Sequence, residues 1–523
     1  MRAPLARRWH WLATAATVLA LCGGCATLAP RDAAPSHAIA GDHEHGLGRI
    51  AADSLGGDGG SAFRPLPMAD FALDARLALI ERAERSLDLQ YYQVDDDATS
   101  HQLLRALRDA AARGVRVRLL VDDLYTAGNR TLLLGLAAHS DVEVRLFNPF
   151  AAGRSGFASR FVLSLWEFGR VNHRMHNKLF IADGAFAIAG GRNIGDAYFR
   201  RSRDGNFVDF DLLLAGAVVP ELAAIFDGYW NSPHVYPLQA VEQAGDDAAA
   251  RRAAFDRQTA DAGAARAPLA ADAIDRLGRI PVSAELARPP LQLSRGSVRA
   301  RADDPDKVSG SVPTARSVSA QFVAAVAAAR TRVTLASPYF IPGEVGLQAL
   351  RNARARGVQI ELLTNTLAAN DEPFAAAAYA RYRPALLQMG VQIHELSSQR
   401  MKMSSVFRDA VGAGTGRSHA KLAVIDDHIV FVGSMNMDLR SARDNTELGL
   451  WVDSAELAAQ VNAMLALVRA GGTYRLRLDE RGERVLWIAG DDGTVVLDDE
   501  PELPLATRLK LNLLSPLVPE ALL

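Results

Sequence analysis

The chain repeats itself at a fixed interval, and no other feature limits its fold as tightly. Ala112-Arg113-Gly114-Val115 returns as Ala355-Arg356-Gly357-Val358, and His176 returns as His419; both landmarks give one offset, 243 residues (357 − 114 and 419 − 176). Two separate landmarks at a common interval identify a duplicated domain. In the first copy the apolar pattern predicts a helical stretch from near Phe71 to about Arg85, then a strand from Leu87 to Gln93. A helix from Ser100 to Arg113, stopped by Gly114, and a strand from Val115 to Asp122 follow. The strand ahead of the second copy's glycine runs from Arg332 to Phe340. Helices alternating with short apolar strands predict an α/β layered fold with a largely parallel sheet.

A chain of 523 residues, 49% hydrophobic and 23% charged, holds two or three globular domains. Its formal net charge of −2 argues against nucleic acid as a partner, because that affinity rests on many Lys and Arg contacts. An anionic substrate must therefore be met by a local cluster.

Residues 1–25 have the pattern of an export leader, with Arg2, Arg7 and Arg8 ahead of an apolar run from Trp11 to Leu21 that is too short for an ordinary membrane span. Leu21-Cys22-Gly23-Gly24-Cys25-Ala26 resembles a bacterial lipoprotein processing site, although Cys22 stands where that pattern prefers an aliphatic residue. The expectation is an exported protein, lipidated at Cys25 and facing the periplasm, with Ala26 favouring the outer membrane; a plain signal peptide or an uncleaved anchor is the alternative. These two are the only cysteines, so the mature protein has no internal disulfide. Residues 26–65 read as a flexible tether, in which His43 and His45 lack the companions a metal site needs. Residues 66–240 and 307–470 are the two repeated domains. The stretch 241–306, rich in Ala, Arg, Asp and Pro, reads as a surface linker with little chemistry, and 471–523 as a hairpin around 490–494 followed by a tail.

Each domain carries one constellation. His176-Asn177-Lys178, Asp183 and Gly190-Gly191-Arg192-Asn193 match His419-Ala420-Lys421, Asp426 and Gly433-Ser434-Met435-Asn436. On a strand, residues two apart share a face, so each His and Lys can reach one site. Asp183 and Asp426 fall in turn contexts and are expected to fix geometry. The apolar runs 185–189 and 429–432 would return as the second strand of a hairpin, bringing Asn193 and Asn436 beside the His and Lys. Lysine charge, the Asn amides and the Ser434 hydroxyl suit a phosphate. Two sets meeting across a pseudo-twofold axis supply one histidine to attack phosphorus and another to protonate the leaving oxygen. Carboxylates that push the two imidazoles apart in pKa are needed, and Asp209 and Glu447 are the candidates, at unequal spacings of 33 and 28 from the histidine of their own half (209 − 176 and 447 − 419).

At these residues the chain resembles the phospholipase D superfamily, whose signature is the doubled HxKxxxxD motif. The resemblance extends from about Phe71 to Val468. Leu146-Phe147-Asn148-Pro149-Phe150, Arg174 to Lys178 and Gly191 to Asp196 are similar to bacterial cardiolipin synthases of the C type. The resemblance implies two α/β/α sandwich domains packed pseudo-symmetrically around one active site. It also implies ping-pong transfer through a phosphohistidine without metal or other cofactor, with His176 as nucleophile and His419 as general acid and base. Phospholipids, phosphatidylglycerol and phosphatidylethanolamine among them, are the implied substrates, and a monomer suffices because the duplication supplies both halves. With water as acceptor the site would be a phospholipase D.

For a membrane contact, the segment from Phe157 to Phe168, flanked by Arg160 and Arg170, reads equally well as an interfacial element or as a core helix. The run from Arg381 to Met403 reads as a second wall of the site, or as a plain helix, strand and loop. The rival functions are a nuclease with the same site chemistry and a catalytically dead membrane scaffold. A salt-dependent affinity for DNA would identify the first, and retention of function in His176→Ala and His419→Ala the second.

Overall fold

Each copy of the repeat builds the same sheet. In the computed structural model, residues 28, 33–57, 59–154, 156–242, 247–264, 269–312, 314–404, 407, 414–489, 495–515 and 518–520 are described. The first half contributes β1 (Ser61–Leu66), β2 (Ser86–Tyr91), β3 (Arg116–Asp122), β4 (Val142–Phe147), β5 (Leu179–Ala182), β6 (Phe186–Gly190), β7 (Gly205–Val208), β8 (Asp211–Gly216) and β9 (Val235–Pro237). Their order is β1-β8-β6-β5-β2-β3-β4-β9, with β7 apart.

The second half contributes β10 (Ser294–Ala302), β11 (Arg332–Ala336), β12 (Gln359–Asn365), β13 (Gln392–Leu396), β14 (Thr415–Ser418), β15 (Leu422–Ile425), β16 (Ile429–Gly433), β17 (Leu448–Asp453) and β18 (Thr473–Leu478). The order β10-β17-β16-β15-β11-β12-β13-β18 copies the first half strand for strand, with β14 apart. The chain ends with β19 (Val485–Ala489) and β20 (Val495–Leu497), an antiparallel pair added beyond β18; the turn between them lies outside the described residues.

The sheet is mixed instead of largely parallel. Within it only β2-β3-β4 and β11-β12-β13 run parallel, and in each of these units helix-bearing crossovers join the strands. The motif strands β5 and β6 are joined by a tight turn, which permits only antiparallel pairing. The crossover helix Ala98–Ala112 shows how the sequence specifies these units. Asp97 caps it by accepting the Ser100 N–H, and Leu103, Leu104, Leu107, Ala110 and Ala111 are buried. Gly114 then turns the chain at φ +92°, and its repeat counterpart Gly357 does so at φ +87° after the helix Gly343–Ala355. One apolar core lies on the outer face of each half, and a third is shared between them, reaching from Leu179 and Leu212 to Leu422 and Leu450.

Two expectations are corrected. The stretch 241–306 is no inert linker: the start of β10 pairs with β1 and the remainder with β17, so this strand splices the halves into one sheet of eighteen strands. Asp303, buried just after it, accepts the backbone N–H groups of Glu447 and Val318 and the Lys307 ammonium. Within 26–65, the residues from 33 onward are built into the fold instead of forming a tether. Ser36 accepts from Arg118 and from the Trp230 indole, the helix Gly46–Leu55 buries Leu47 and Ile50, and β1 is wholly buried. The small residues that looked like linker composition let backbones lie flush: a Cβ on Gly184 would stand 2.4 Å from the Ile39 carbonyl oxygen. Cys25 and the leader lie outside the described residues, and among those described no helix is long and apolar enough to cross a membrane.

Candidate active site

The two histidine motifs lie on extended chain just ahead of β5 and β15. Each following hairpin holds a fixed register, Leu179 opposite Ala189 and Leu422 opposite Val432, so the returning strands end at Gly190 and Gly433 and deliver Asn193 and Asn436 to the same place as the histidines. Asp183 and Asp426 sit at the far end of their strands, both at φ +52° in the hairpin turns. Asp183 accepts the N–H groups of Glu84, Arg85 and Ser86, and Asp426 those of Arg330, Thr331 and Arg332. They pin the turn to the strand that begins next door and do not line the catalytic cleft.

Each histidine segment is stitched to the opposite half. The His176 N–H donates to the Thr446 carbonyl, and the Thr446 N–H to that of Arg174, both at 2.9 Å. Across the pseudo-twofold axis, β14 pairs in parallel with β7 and the His419 N–H donates to the Val208 carbonyl at 2.8 Å. The residues that follow Thr446 and Val208 are the two candidate carboxylates. Glu447 therefore meets His176, Nδ1 to Oε2 at 3.0 Å, and Asp209 meets His419, Nδ1 to Oδ2 at 2.6 Å.

Each carboxylate thus serves the histidine of the other half, which explains why spacing within a half looked irregular. Strand register nevertheless makes the two equivalent: Gly190 pairs with Asp211 and Gly433 with Gly449, and Asp209 and Glu447 each lie two residues before those partners. The unequal spacing is absorbed between the motifs, where the first half has β7 and the second the helix Leu439–Arg443.

The Gly191/Ser434 difference belongs to the same feature. A Cβ on Gly191 would stand 2.1 Å from the Asp209 carboxylate, so in the first half the carboxylate itself takes that space. In the second half the Ser434 hydroxyl donates to Glu447 and accepts the Leu448 N–H. Ser434 therefore holds Glu447 and is not free to contact phosphate as its sequence suggested. Ser441 donates to Glu447 as well.

Lys178 and Lys421 are buried beneath the histidines, each donating to its own histidine's carbonyl at 2.6 Å. Burial pushes the Lys178 ammonium well below its usual range and Lys421 down to about 8. Burial also drives His176 well below the ordinary imidazole value, with Lys178, Lys421 and His419 acting in the same direction. His419 is lowered by burial and by Lys421, but here the Asp209 carboxylate opposes both. Burial would raise Asp209, yet His419, Lys421 and Arg192 outweigh it and hold the carboxyl below its usual value. Glu447 is raised by burial despite Lys178 and its two serine donors. The geometry is symmetric but the electrostatics are not: the His419–Asp209 pair is the one better able to carry a proton and its countercharge.

A cleft of about 290 Å³ is lined by both histidines and both asparagines. Sequence reasoning missed its tyrosines. Tyr92 packs edge-on against His176 at 4.9 Å and lies over the Lys178 ammonium, and Tyr198 packs against His419 at 5.3 Å while its hydroxyl accepts from Asn193. Tyr92 and Tyr339 follow β2 and β11, and the available signal was their place just beyond the carboxyl ends of parallel strands, where ligands gather in α/β folds. Asp122, at the end of β3, was missed for the same reason; it accepts the Met175 N–H and pairs with Arg174, setting the approach of the first motif.

The segment from Phe157 to Val171 divides between its two readings. Phe161 and Val171 line the cleft, while Val162, Leu165, Trp166 and Phe168 are exposed. Of its basic flanks, Arg160 is buried against Asp123 and Arg170 pairs with Glu167. The run 381–403 is a helix, a strand and a second helix, none of it lining the cleft.

Residues 77–230 and 322–467 match the family model described as "Cardiolipin synthase, PLD-like domain". The chain is 36% identical over 461 residues to cardiolipin synthase C of Escherichia coli (strain K12), covering 88% of this chain and 95% of that protein. It is 26% identical over 405 residues to cardiolipin synthase A of Pseudomonas fluorescens, covering 77% and 67%. Among solved structures, phosphatidylserine synthase of Haemophilus influenzae Rd KW20 shares the fold, with a TM-score of 0.53 at 13% identity over 87% of this chain and 93% of that one.

Proposed function

From the premise that the chain belongs to the phospholipase D-like cardiolipin synthase family, we propose that it moves a phosphatidyl group from one phospholipid to a hydroxyl of another. The observation that carries this reading is the crossed pairing: two histidines in one cleft, each held through Nδ1 by a carboxylate of the other half, above two buried lysines. With Nδ1 committed, Nε2 is the reacting atom of each ring.

In the first step His176 Nε2 forms a bond to phosphorus as the bond to the head-group oxygen breaks, and His419 gives that oxygen its proton. In the second, His419 takes the proton of the incoming hydroxyl, whose oxygen bonds to phosphorus as the N–P bond breaks and His176 is restored. The low basicity of His176 keeps it unprotonated for attack, and Asp209 supports the charged form of His419. Lys178 and Lys421, buried beneath the histidines, bring positive charge to the phosphoryl oxygens while they are protonated.

The exposed apolar residues beside the cleft, Val162, Leu165, Trp166 and Phe168, support presentation of the site to a lipid surface. The leader and Cys25 support an exported, lipid-anchored protein facing the periplasm, which metabolic labelling of wild type and Cys25→Ser with radioactive palmitate tests. One chain builds the whole site, which supports a monomer.

The test of function is incubation with vesicles of phosphatidylglycerol and phosphatidylethanolamine and identification of products by mass, with His176→Ala as control. Cardiolipin made by the wild type alone supports transfer. Phosphatidic acid alone would make the enzyme a hydrolase, and no lipid product would remove the reading.

A further inference from the structure

The strands β3 and β12 hold equivalent places in the two sheets, and at or beyond the carboxyl end of each the chain carries two adjacent carboxylates: Asp122-Asp123 in the first half and Asp371-Glu372 in the second. The first pair is neutralised, Asp122 by Arg174 and Asp123 by Arg154 and Arg160. The second pair is not. Among the described residues neither Asp371 nor Glu372 has a Lys or Arg within ion-pair distance, and Arg440 acts on Glu372 only from further away, its guanidinium donating to the Asn172 carbonyl. Both acids line the catalytic cleft. An uncompensated carboxylate there repels the anionic phosphodiester the cleft is built to hold, unless the same substrate also brings a cation or hydrogen-bond donors to it.

The cleft contains acceptors in search of such donors. Asp371 Oδ1 is buried without a protein partner, although the Tyr339 hydroxyl adjoins the same carboxylate. Asn436 Oδ1 and Asn445 Oδ1 are buried without one as well, on residues each 7% exposed that also line the cleft. Buried polar atoms ordinarily find a partner. A phosphodiester anion has acceptors alone to give, so the donors must come from the group esterified to it. The place fits that group. The Asp371 charge acts on Lys421 and Tyr198 and, behind that of Asp209, on His419, while Tyr198 packs against His419 at 5.3 Å. Asp371 therefore stands at the His419 end of the cleft, where the head-group oxygen takes its proton.

We propose that Asp371, with Glu372, Asn436 and Asn445, forms a head-group subsite: it accepts hydrogen bonds from the alcohol that His419 protonates on departure, and so selects head groups that carry donors, an ammonium or hydroxyls, over head groups that carry none. The proposal rests on the phosphatidyl-transfer reading and adds to it the residues that distinguish one phospholipid from another.

The test measures consumption of phosphatidylethanolamine, phosphatidylglycerol and phosphatidylmethanol with identical acyl chains, in mixed micelles, by full-length wild type, Asp371→Asn and Asp371→Ala. Methanol needs a proton on leaving as the other two alcohols do but has no further donor, so the ratio of each lipid to phosphatidylmethanol cancels any effect exerted through His419 or through the fold. In Asp371→Ala both ratios should fall by about tenfold or more, the scale of a lost hydrogen bond to a charged acceptor. Asp371→Asn separates the two sources: a fall confined to phosphatidylethanolamine assigns the subsite to the ammonium, and a fall confined to phosphatidylglycerol assigns it to the hydroxyls. Ratios equal to wild type in both variants, even with all three lipids slowed alike, would overturn the proposal. Should neither variant fold, inhibition of the wild type by phosphoethanolamine and glycerol phosphate is compared with inhibition by methyl phosphate: tighter inhibition by either donor-bearing ester, by about tenfold or more, supports the subsite, and equal inhibition by all three sinks it. A wild type that consumes none of the lipids removes the transfer reading and the proposal with it, whereas unchanged ratios in an active enzyme remove the proposal alone.

Discussion

Replacing Asp209 by Asn keeps the shape of the His419 partner and removes its charge. The carboxylate accepts the His419 Nδ1–H at 2.6 Å in a wholly buried setting, and a hydrogen bond to a charged group contributes about 1.5–3 kcal/mol. Most of that favours the protonated imidazole, so its loss lowers the His419 pKa further. The direction is fixed by the structure, because Asp209 is the group opposing burial at His419. Protonated His419 is required to expel the head group, and that form is lost as pH rises through its pKa. The alkaline limb of kcat should therefore move to lower pH, with a fall of up to about 10- to 150-fold at neutral pH, the equivalent of about 1.5–3 kcal/mol. The assay is a pH series of steady-state lipid turnover for wild type and Asp209→Asn, with thermal midpoints to confirm folding. A uniform fall with the limb unmoved would refute the assigned role of Asp209, as would wild-type kcat.

Three further outcomes test the surrounding geometry. Gly191→Ala places a methyl 2.1 Å from the Asp209 carboxylate and should reproduce the shifted pH profile of Asp209→Asn, whereas Ser434→Gly removes one Glu447 donor and should leave the alkaline limb in place. Lys421, pushed down to about 8, carries its charge below that pH and loses it above, so kcat/KM should fall as pH rises through about 8. A limb that persists in Lys421→Arg, whose guanidinium stays charged, would assign it to another group. Asp183→Ala leaves three backbone N–H groups without their acceptor and should lower stability by about 1–3 kcal/mol in urea unfolding, with the pH profile of the residual activity unchanged.

The duplication and both histidine motifs were legible because their signals are local. A tight hairpin fixes where His176, Lys178 and Asn193 lie relative to one another, and the same rule acts on His419, Lys421 and Asn436. The carboxylate partners were named but could not be assigned to their histidines, since the pairing depends on β7 meeting β14 and Met175 meeting Thr446 across the two halves, 200 residues or more apart in the chain. The roles of Asp303, β10 and Ser36 were hidden for a related reason. Ala, Gly and Ser are what a tether contains, and also what a backbone needs to pack flush against a sheet; only the tertiary partners, Arg118 and Trp230 for Ser36, distinguish the two. Tyr198 carries no motif and declares itself only by packing against His419, and Tyr92 offered no signal beyond its place after the end of β2.

The proposed mechanism divides the labour between two similar histidines, and trapping the intermediate tests that division. His419→Ala removes both the proton donor for the head group and the group that activates the second hydroxyl, so the assay uses a phosphatidyl donor whose leaving group, p-nitrophenolate, needs no proton; a lipid-derived adduct should then accumulate on the protein and be recovered under alkaline conditions on the peptide carrying His176. His176→Ala should yield no adduct. An adduct on the His419 peptide in the His176→Ala protein would reverse the assignment and contradict the reading of the electrostatics.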